Sequence, residues 1–215
     1  MATQIDRWRQ AAAVAVLITS CASAAATDRN TEPVDAIWRI QSLPFEYQSF
    51  NTQYACDSLT RKIRSILLAV GADPSVIVES RCTSRTPMNQ ISIRVLIATP
   101  VAATEENVRA ATTFDGKDEL IARLRNTNLP TAAEIPRFQA NWQKRSLSNL
   151  GENSISSADC DLLRDLTRQI FEKIDVRVTR RQINCSNYAS RIRPIIEVHA
   201  LVPAEPEPQT QANRT

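Results

Sequence analysis

The chain has 215 residues, 43% of them hydrophobic and 23% charged, with a formal net charge of +3, which allows one medium domain or two small ones with a real core. A charge so near neutral argues against general nucleic-acid binding, and Gly71, Gly116 and Gly151 are too widely spaced for a glycine-rich phosphate loop. The single histidine, His199, cannot form a His–His metal site, and no G-x-S-x-G or C-x-x-C motif occurs. We therefore expect no cofactor, no metal and no catalytic motif.

Residues 1–26 have the features of an export signal. Arg7 and Arg9 supply a positive start, residues 11–18 form an unbroken apolar run, and small residues follow over 20–26. The apolar run is too short to cross a bilayer, because a spanning helix needs about 20 residues. The alternative interpretation is a short buried N-terminal helix.

The end of this segment allows two kinds of processing. Residues 22–24 and 24–26 both fit the A-x-A pattern of ordinary cleavage, which would release a soluble periplasmic protein. Residues 18–21, Ile-Thr-Ser-Cys, instead resemble a bacterial lipobox. That resemblance implies lipidation of Cys21 and an outer-membrane lipoprotein, so membrane contact is expected only through such an anchor.

Two similar segments lie 104 residues apart. Cys56 opens one helical pattern and Cys160 opens the other, with apolar residues at matching places and helical spacing. A tryptophan-bearing strand precedes each helix, and two β-rich runs follow it. These observations predict an α+β fold of two tandem β-α-β-β repeats, 36–103 and 137–203, each a small antiparallel sheet packed on one helix.

The similarity leaves two questions open. The matching stripes could arise by chance in two amphipathic segments, although cysteines match at both ends of the pattern. The repeats could also form either two domains or one pseudo-symmetric sheet. Between them, residues 104–136 are predicted to be a connector with short helices, the first capped by Thr104. The Pro/Glu/Gln-rich tail, 204–215, is predicted to be disordered.

Four cysteines remain once Cys21 is set aside, and an even number in an exported chain indicates disulfides. A helix over 57–71 rises about 22 Å, and a strand over 76–82 returns about 23 Å. The strand end therefore comes back to the helix start. This geometry predicts a bridge within each repeat, and pairing across the repeats is the alternative. The predicted bridges are Cys56–Cys82 and Cys160–Cys185.

Few residues are candidates for catalysis. His199 lies near the end of the last strand pattern, where it is either a core-edge histidine or the imidazole of a hydrolase. Asp57 and Asp161 each follow a helix-opening cysteine, where a carboxylate is favourable with the helix dipole. Asp159 or Ser157 is the candidate cap of the second helix. These carboxylates are therefore expected to be structural.

The densest basic cluster lies in the second repeat. Antiparallel pairing of its strands would gather several arginines on one face, suited to phosphate groups or to an acidic partner protein. The alternative is a solvated sheet face with cross-strand ion pairs to Asp175 and Glu197. The candidate anion-binding residues are Arg177, Arg180, Arg181, Arg191 and Arg193.

Aromatic residues cluster in the first strand, at Trp38, Phe45, Tyr47 and Phe50. They indicate core packing or, on an exposed edge, a peptide-binding groove. Taken together, the patterns favour a non-enzymatic binding or assembly module of the bacterial cell envelope. Its expected partner is another envelope protein or an anionic envelope component. The alternatives are an exported hydrolase with a site around His199 and a protein that binds anionic polymers or lipid phosphates through the arginines.

Overall fold

The computed structural model describes residues 32–49, 51–82, 87–148, 150, 154–183, 185 and 193–204. These residues form an α+β structure with six strands, which are β1 (Val34–Gln48), β2 (Ile77–Ser80), β3 (Gln90–Ala102), β4 (Phe138–Ser146), β5 (Arg177–Gln182) and β6 (Ile195–Pro203). The α-helices are α1 (Cys56–Ala69), α2 (Glu105–Ala111), α3 (Gly116–Arg125) and α4 (Cys160–Gln169). The predicted signal, Cys21 and the tail beyond Ala204 lie outside the described residues.

All six strands belong to one antiparallel sheet with the order β2-β3-β1-β4-β6-β5. Each half therefore does not form a separate small sheet: β1 and β4 pair across the middle, and of the two arrangements that the sequence left open the strands adopt one sheet. That pairing is brief and joins only 34–36 to 138–140. Trp38 stacks on Phe138 at 4.8 Å beside the junction. The tandem repeat itself stays a prediction.

Helices α1 and α4 pack on the same face of the sheet and share one core. Their apolar stripes bury Leu59, Ile63 and Ile66 of α1 with Leu162 and Leu166 of α4, all 0% exposed. Burial of each such side chain stabilises the fold by about 2 kcal/mol. One core therefore spans both halves of the chain.

Thr167 stands where the first helix has Ile63, a mismatch in the stripe that the structure accommodates. Thr167 is buried, and its hydroxyl donates to the carbonyl of Leu163 at 2.8 Å.

Gly71 lies in the turn that follows α1. Its φ is +92°, and a Cβ there would lie 2.6 Å from the carbonyl oxygen of Leu201. The turn after α1 can therefore rest on β6 only with glycine at this position.

Both predicted disulfides are confirmed, and pairing across the halves is wrong. Cys56 and Cys82 have Cα atoms 6.3 Å apart, and Cys160 and Cys185 are 5.6 Å apart. Each bridge ties the first residue of a helix to the chain just after the next strand. This is the geometry that the equal rise of helix and returning strand predicts.

The segment between β3 and β4 contains the helices α2 and α3. Thr104 caps α2 by accepting from the amide of Asn107. Asp115 and Asp118 form a capping box at the start of α3. Val108 of α2 packs against Ile37 and Val101 at the end of the sheet. The connector therefore folds back beside β1, and this placement shapes the candidate site.

Candidate functional site

The backbone of β1 pairs with β3 through its odd-numbered residues. Ser49 donates its amide to Asn89, and Asp35 accepts from the amide of Ala103. The register between these ends is continuous. Even-numbered residues of β1 therefore direct their N–H and C=O groups to the opposite edge, because the direction alternates along an antiparallel strand.

Helix α4 covers the last part of that opposite edge. The side-chain amide of Gln169 accepts from the backbone N–H of Glu46 at 2.9 Å and donates to the carbonyl of Glu46 at 2.8 Å. Asp165 accepts from the amide of Gln48 at 3.4 Å. These two side chains replace a neighbouring strand, so the edge is satisfied from residue 46 onward.

Between the junction with β4 and the part covered by α4, the edge is open. Among the described residues, none hydrogen-bonds to the outward backbone groups of Trp38, Ile40 or Ser42. Pro44 follows at the next outward position and has no N–H to offer. A proline inside a long strand is tolerated when its missing donor faces an unpaired edge. We call residues 38–42 of β1 the open edge.

A groove of about 640 Å³ lies beside the open edge, and residues 38–41 line one side of it. Its opposite wall comes from α2, α3 and residues 127–130, with apolar contributions from Ala111, Phe114, Ile121 and Leu129. Ile40 is 73% exposed here. The site therefore combines unpaired backbone groups with an apolar wall.

The outer edges of the sheet are protected against pairing, in contrast to the open edge. Strand β2 has only four residues. Strand β5 has a bulge between Val178 and Arg180 and is rich in arginine. Short strands, bulges and charged side chains are the usual devices that block edge-to-edge association. Part of the predicted arginine cluster therefore has a structural reason to be there.

Asp159 forms a buried ion pair between the two halves. Both of its carboxylate oxygens accept from the Lys62 ammonium of α1, at 2.7 and 2.8 Å. The Tyr54 hydroxyl donates to it, and the Ser156 hydroxyl and amide donate at 2.8 and 2.7 Å. The side chain of Asp159 is 1% exposed. This network fixes α4 against the first half of the chain.

Burial alone would raise the pKa of Asp159, but the hydrogen bonds from Lys62, Tyr54 and Ser156 outweigh it and lower the pKa. Burial, followed by the hydrogen bond to Asp159, raises the pKa of Tyr54 above its usual range. Burial likewise raises the pKa of Tyr47 to about 12. Asp159 is therefore held as a carboxylate and both tyrosines as neutral phenols.

Two more carboxylates of α4 are buried beside this network. Asp161 accepts from the Ser49 hydroxyl at 2.6 Å and pairs with Arg164 at 2.9 Å. Asp165 pairs with Arg164 and Arg168 at 3.6 Å each, and burial raises its pKa. A cleft of about 600 Å³ opens next to Asp165. Because two guanidinium groups engage the carboxylate there, it is a fixed ion pair rather than a free base.

The predicted helix-start residues differ in role. Asp57 lies in the first turn of α1, as expected, and is exposed. Its counterpart Asp161 is instead buried and bonded to Ser49 across the halves. Asp159 is the N-cap residue of α4 but makes no side-chain cap bond to it, and Ser156 forms a capping box with Asp159 across the 3-10 turn Ser157–Asp159. The sequence pattern could not indicate these long-range partners.

The predicted arginines are divided between the two faces of β5. Arg177 pairs in register with His199 and Arg180 with Glu197, so the bulge places both on the outer face. Arg181 pairs with the core residue Ile196 and lies on the opposite face. Arg193 is exposed beyond the strand, and Arg191 lies outside the described residues.

The two acidic residues expected near these arginines, Glu197 and Asp175, have different partners. Glu197 pairs with Lys144 at 2.7 Å and with Arg180 at 3.6 Å. Asp175 pairs instead with Arg39 of β1 at 3.0 Å. Of the candidate arginines, the structure therefore places Arg177 and Arg180 on one face of β5 and Arg181 on the other.

His199 lies on the outer sheet face, with its ring 5.2 Å from that of Trp142. Its cross-strand neighbours are Lys144 and Arg177. Among the described side chains, no hydroxyl or carboxylate hydrogen-bonds to the imidazole. The geometry therefore offers the hydrolase alternative no supporting contact.

The clustered aromatics of β1 divide between the core and the groove. Phe45 and Tyr47 are fully buried in the core, and Trp38 lines the groove. Phe50 lies outside the described residues. The sequence indicates a peptide-binding groove at these aromatics as one alternative, but it does not indicate the open edge. The one signal for that edge is Pro44, a proline within a strand pattern.

No family model, curated protein or solved structure matches this chain. Among the described residues, no helix is both long and apolar enough to span a membrane. The same part of the chain contains no group of three or more potential metal ligands.

Proposed function

We propose that this chain is an exported, non-enzymatic binding module that receives an extended segment of a partner protein as an added strand along the open edge. The single observation that carries the proposal is the unpaired backbone of Trp38, Ile40 and Ser42 beside an apolar groove. Strand addition supplies the missing hydrogen bonds, and pockets beside the strand select side chains.

The occupant follows from the chemistry of the groove. An extended segment bonded to 38–42 needs about five residues, because the junction with β4 limits one end and Pro44 the other. Side chains alternate along such a strand, so every second one meets the wall formed by Phe114, Ile121 and Leu129. The fitting segment is therefore short and has apolar residues at alternate positions.

The contrast between edges supports a binding role for this one. The outer edges of the sheet carry a short strand on one side and a bulged, arginine-rich strand on the other. At the open edge, Ile40 presents a large apolar side chain, and the guanidinium of Arg39 is engaged by Asp175. An edge with an exposed apolar side chain next to an apolar wall suits a partner better than it suits solvent.

The two disulfides are compatible with an oxidising compartment. Together with the signal-like residues 1–26, they support export to the bacterial envelope. We propose a periplasmic protein, or an outer-membrane lipoprotein if Cys21 is lipidated. The partner is then another protein of the envelope.

Replacing Ser42 by proline tests the edge directly. The amide of Ser42 faces away from β3, so Ser42→Pro removes an outward donor without breaking the β1–β3 ladder. We expect affinity for capped peptides of alternating valine and threonine to fall about tenfold or more, because the peptide carbonyl loses its partner and meets the proline ring. Fluorescence anisotropy of a labelled peptide measures this loss.

Ser42→Ala is the matched control, since it removes the same hydroxyl but keeps the amide. It should bind the peptide as the unaltered chain does. Equal affinities for the proline and alanine variants, both with unchanged thermal unfolding, would mean that no strand adds at this edge.

A further inference from the structure

The outer face of the second half contains a row of basic side chains across three strands. Lys144 of β4 stands opposite His199 of β6, and His199 stands opposite Arg177 of β5. Adjacent strands are about 4.8 Å apart, so long side chains from both flanks can reach over the central imidazole. We call Lys144, His199 and Arg177 the basic row.

Arg177 is positioned by an aromatic ring rather than by an acid. Its guanidinium lies 5.4 Å from the centre of the Trp142 ring, and the same ring packs against His199. Among the described residues, no carboxylate pairs with Arg177. Its planar donors are therefore oriented by stacking and available to a ligand.

One carboxylate lies next to the row. Glu197 is the only acidic residue in β4, β5 and β6. It is engaged by Lys144 at 2.7 Å and by Arg180 at 3.6 Å. The face therefore holds Lys144, Arg177 and Arg180 against one acid, and its charge is complementary to an anion.

We propose that the basic row binds a phosphate group. A guanidinium offers phosphate two parallel N–H bonds, an ammonium adds a compact charge, and an imidazole adds a third donor. The proposal is independent of strand addition, because the row lies on β4, β5 and β6 and the open edge on β1. The phosphate belongs either to a lipid headgroup or to a soluble phosphate ester, and two probes separate these sources.

The test compares two variants with the same loss of charge on the same two strands. Lys144→Gln with Arg177→Gln removes both ends of the basic row. Arg145→Gln with Arg181→Gln removes two cations whose cross-strand partners, Val198 and Ile196, are core residues. The control pair therefore alters the opposite face.

The probes are glycerol 3-phosphate in solution and vesicles of phosphatidylcholine with or without phosphatidylglycerol. An acyl anchor would hold the chain on both kinds of vesicle, so the readout is the part of vesicle binding that depends on phosphatidylglycerol. For a probe that binds, we expect the row variant to lose about twentyfold in affinity, since each cation near an anionic surface contributes about fivefold. The control variant should lose much less.

Binding of glycerol 3-phosphate that the row variant loses identifies a soluble ester as the source. Binding only to phosphatidylglycerol, again lost in the row variant, identifies a lipid headgroup. Equal losses in the row and control variants would reduce the effect to net charge and overturn the proposal. Absence of binding to both probes would overturn it as well.

Discussion

Replacing Asp159 by asparagine is expected to lower the free energy of unfolding by about 3 kcal/mol. The variant leaves the Lys62 ammonium, which is 18% exposed, without its carboxylate partner. It also weakens the bonds from Tyr54 and Ser156. Removing one member of a buried ion pair is costly because the remaining charge stays in a poorly solvated place. Urea unfolding at neutral pH measures the change.

The effect should depend on pH in a defined direction. The pKa of Asp159 is lowered in the folded chain, so its contribution is present above the unfolded pKa of about 4. That contribution is lost as the pH falls through the folded value. The difference between the unaltered chain and Asp159→Asn should therefore shrink in acid. Burial raises the pKa of Asp165, so ionisation of this carboxyl lowers the stability as the pH rises, and it does so in both proteins alike.

Glu119→Gln is the matched control, because it removes a carboxylate from an exposed pair with Arg123 on α3. Such pairs contribute about 0.5 kcal/mol or less. Combining Asp159→Asn with Lys62→Met should restore part of the lost stability, since no unpaired charge remains. If Asp159→Asn were as mild as Glu119→Gln, the ion pair would not hold the halves together.

Removing either disulfide should cost about 3.5 kcal/mol in the chain-entropy estimate. The bridges close loops with sequence separations of 26 and 25 residues. Because these loops are nearly equal, the two losses should be nearly equal. Alanine is the suitable replacement, since Cys56 and Cys160 are 3% and 7% exposed and a buried hydroxyl would add its own cost. Urea midpoints under oxidising conditions measure both losses.

Reduction of the unaltered chain provides the control for these variants. A chain with both disulfides reduced should lose about as much stability as a chain in which the four disulfide cysteines are replaced by alanine. Reductant should leave that four-alanine variant unchanged. If reduction had no effect on the unaltered chain, the bridges would not constrain the unfolded state.

The two disulfides, the α1 and α4 stripes and the connector helices could be predicted because their signals are local. A helix of known rise and a strand returning along it bring Cys56 to Cys82 whatever else the chain does. Thr104 caps α2 through the amide of Asn107, three residues away. Such features depend on spacing, and spacing is visible in the sequence.

The single sheet and the buried carboxylates could not be predicted because they depend on contacts more than 90 residues apart. Lys62 meets Asp159 at a separation of 97 residues, and Ser49 meets Asp161 at 112. The bulge that turns Arg180 to the same face as Arg177 is likewise invisible to strict strand alternation. The contacts between the first and second halves of the chain are therefore visible only in the structure.

The open edge is bounded by different elements at its two ends. β4 begins at Phe138, opposite Ala36, and its antiparallel course leads away from 38–42, so its pairing with β1 covers only 34–36. At the other end, Gln169 of α4 occupies the edge of β1 at Glu46.

Amide hydrogen exchange along β1 tests strand addition most directly. In the free chain, the amides of Ile40 and Ser42 should exchange rapidly, whereas those of Arg39, Gln41 and Leu43, bonded to β3, should be protected. A bound valine–threonine peptide should slow the exchange of Ile40 and Ser42 and leave the other three unchanged. Protection of Ile40 and Ser42 already in the free chain, or continued rapid exchange with the peptide bound, would contradict the proposed function.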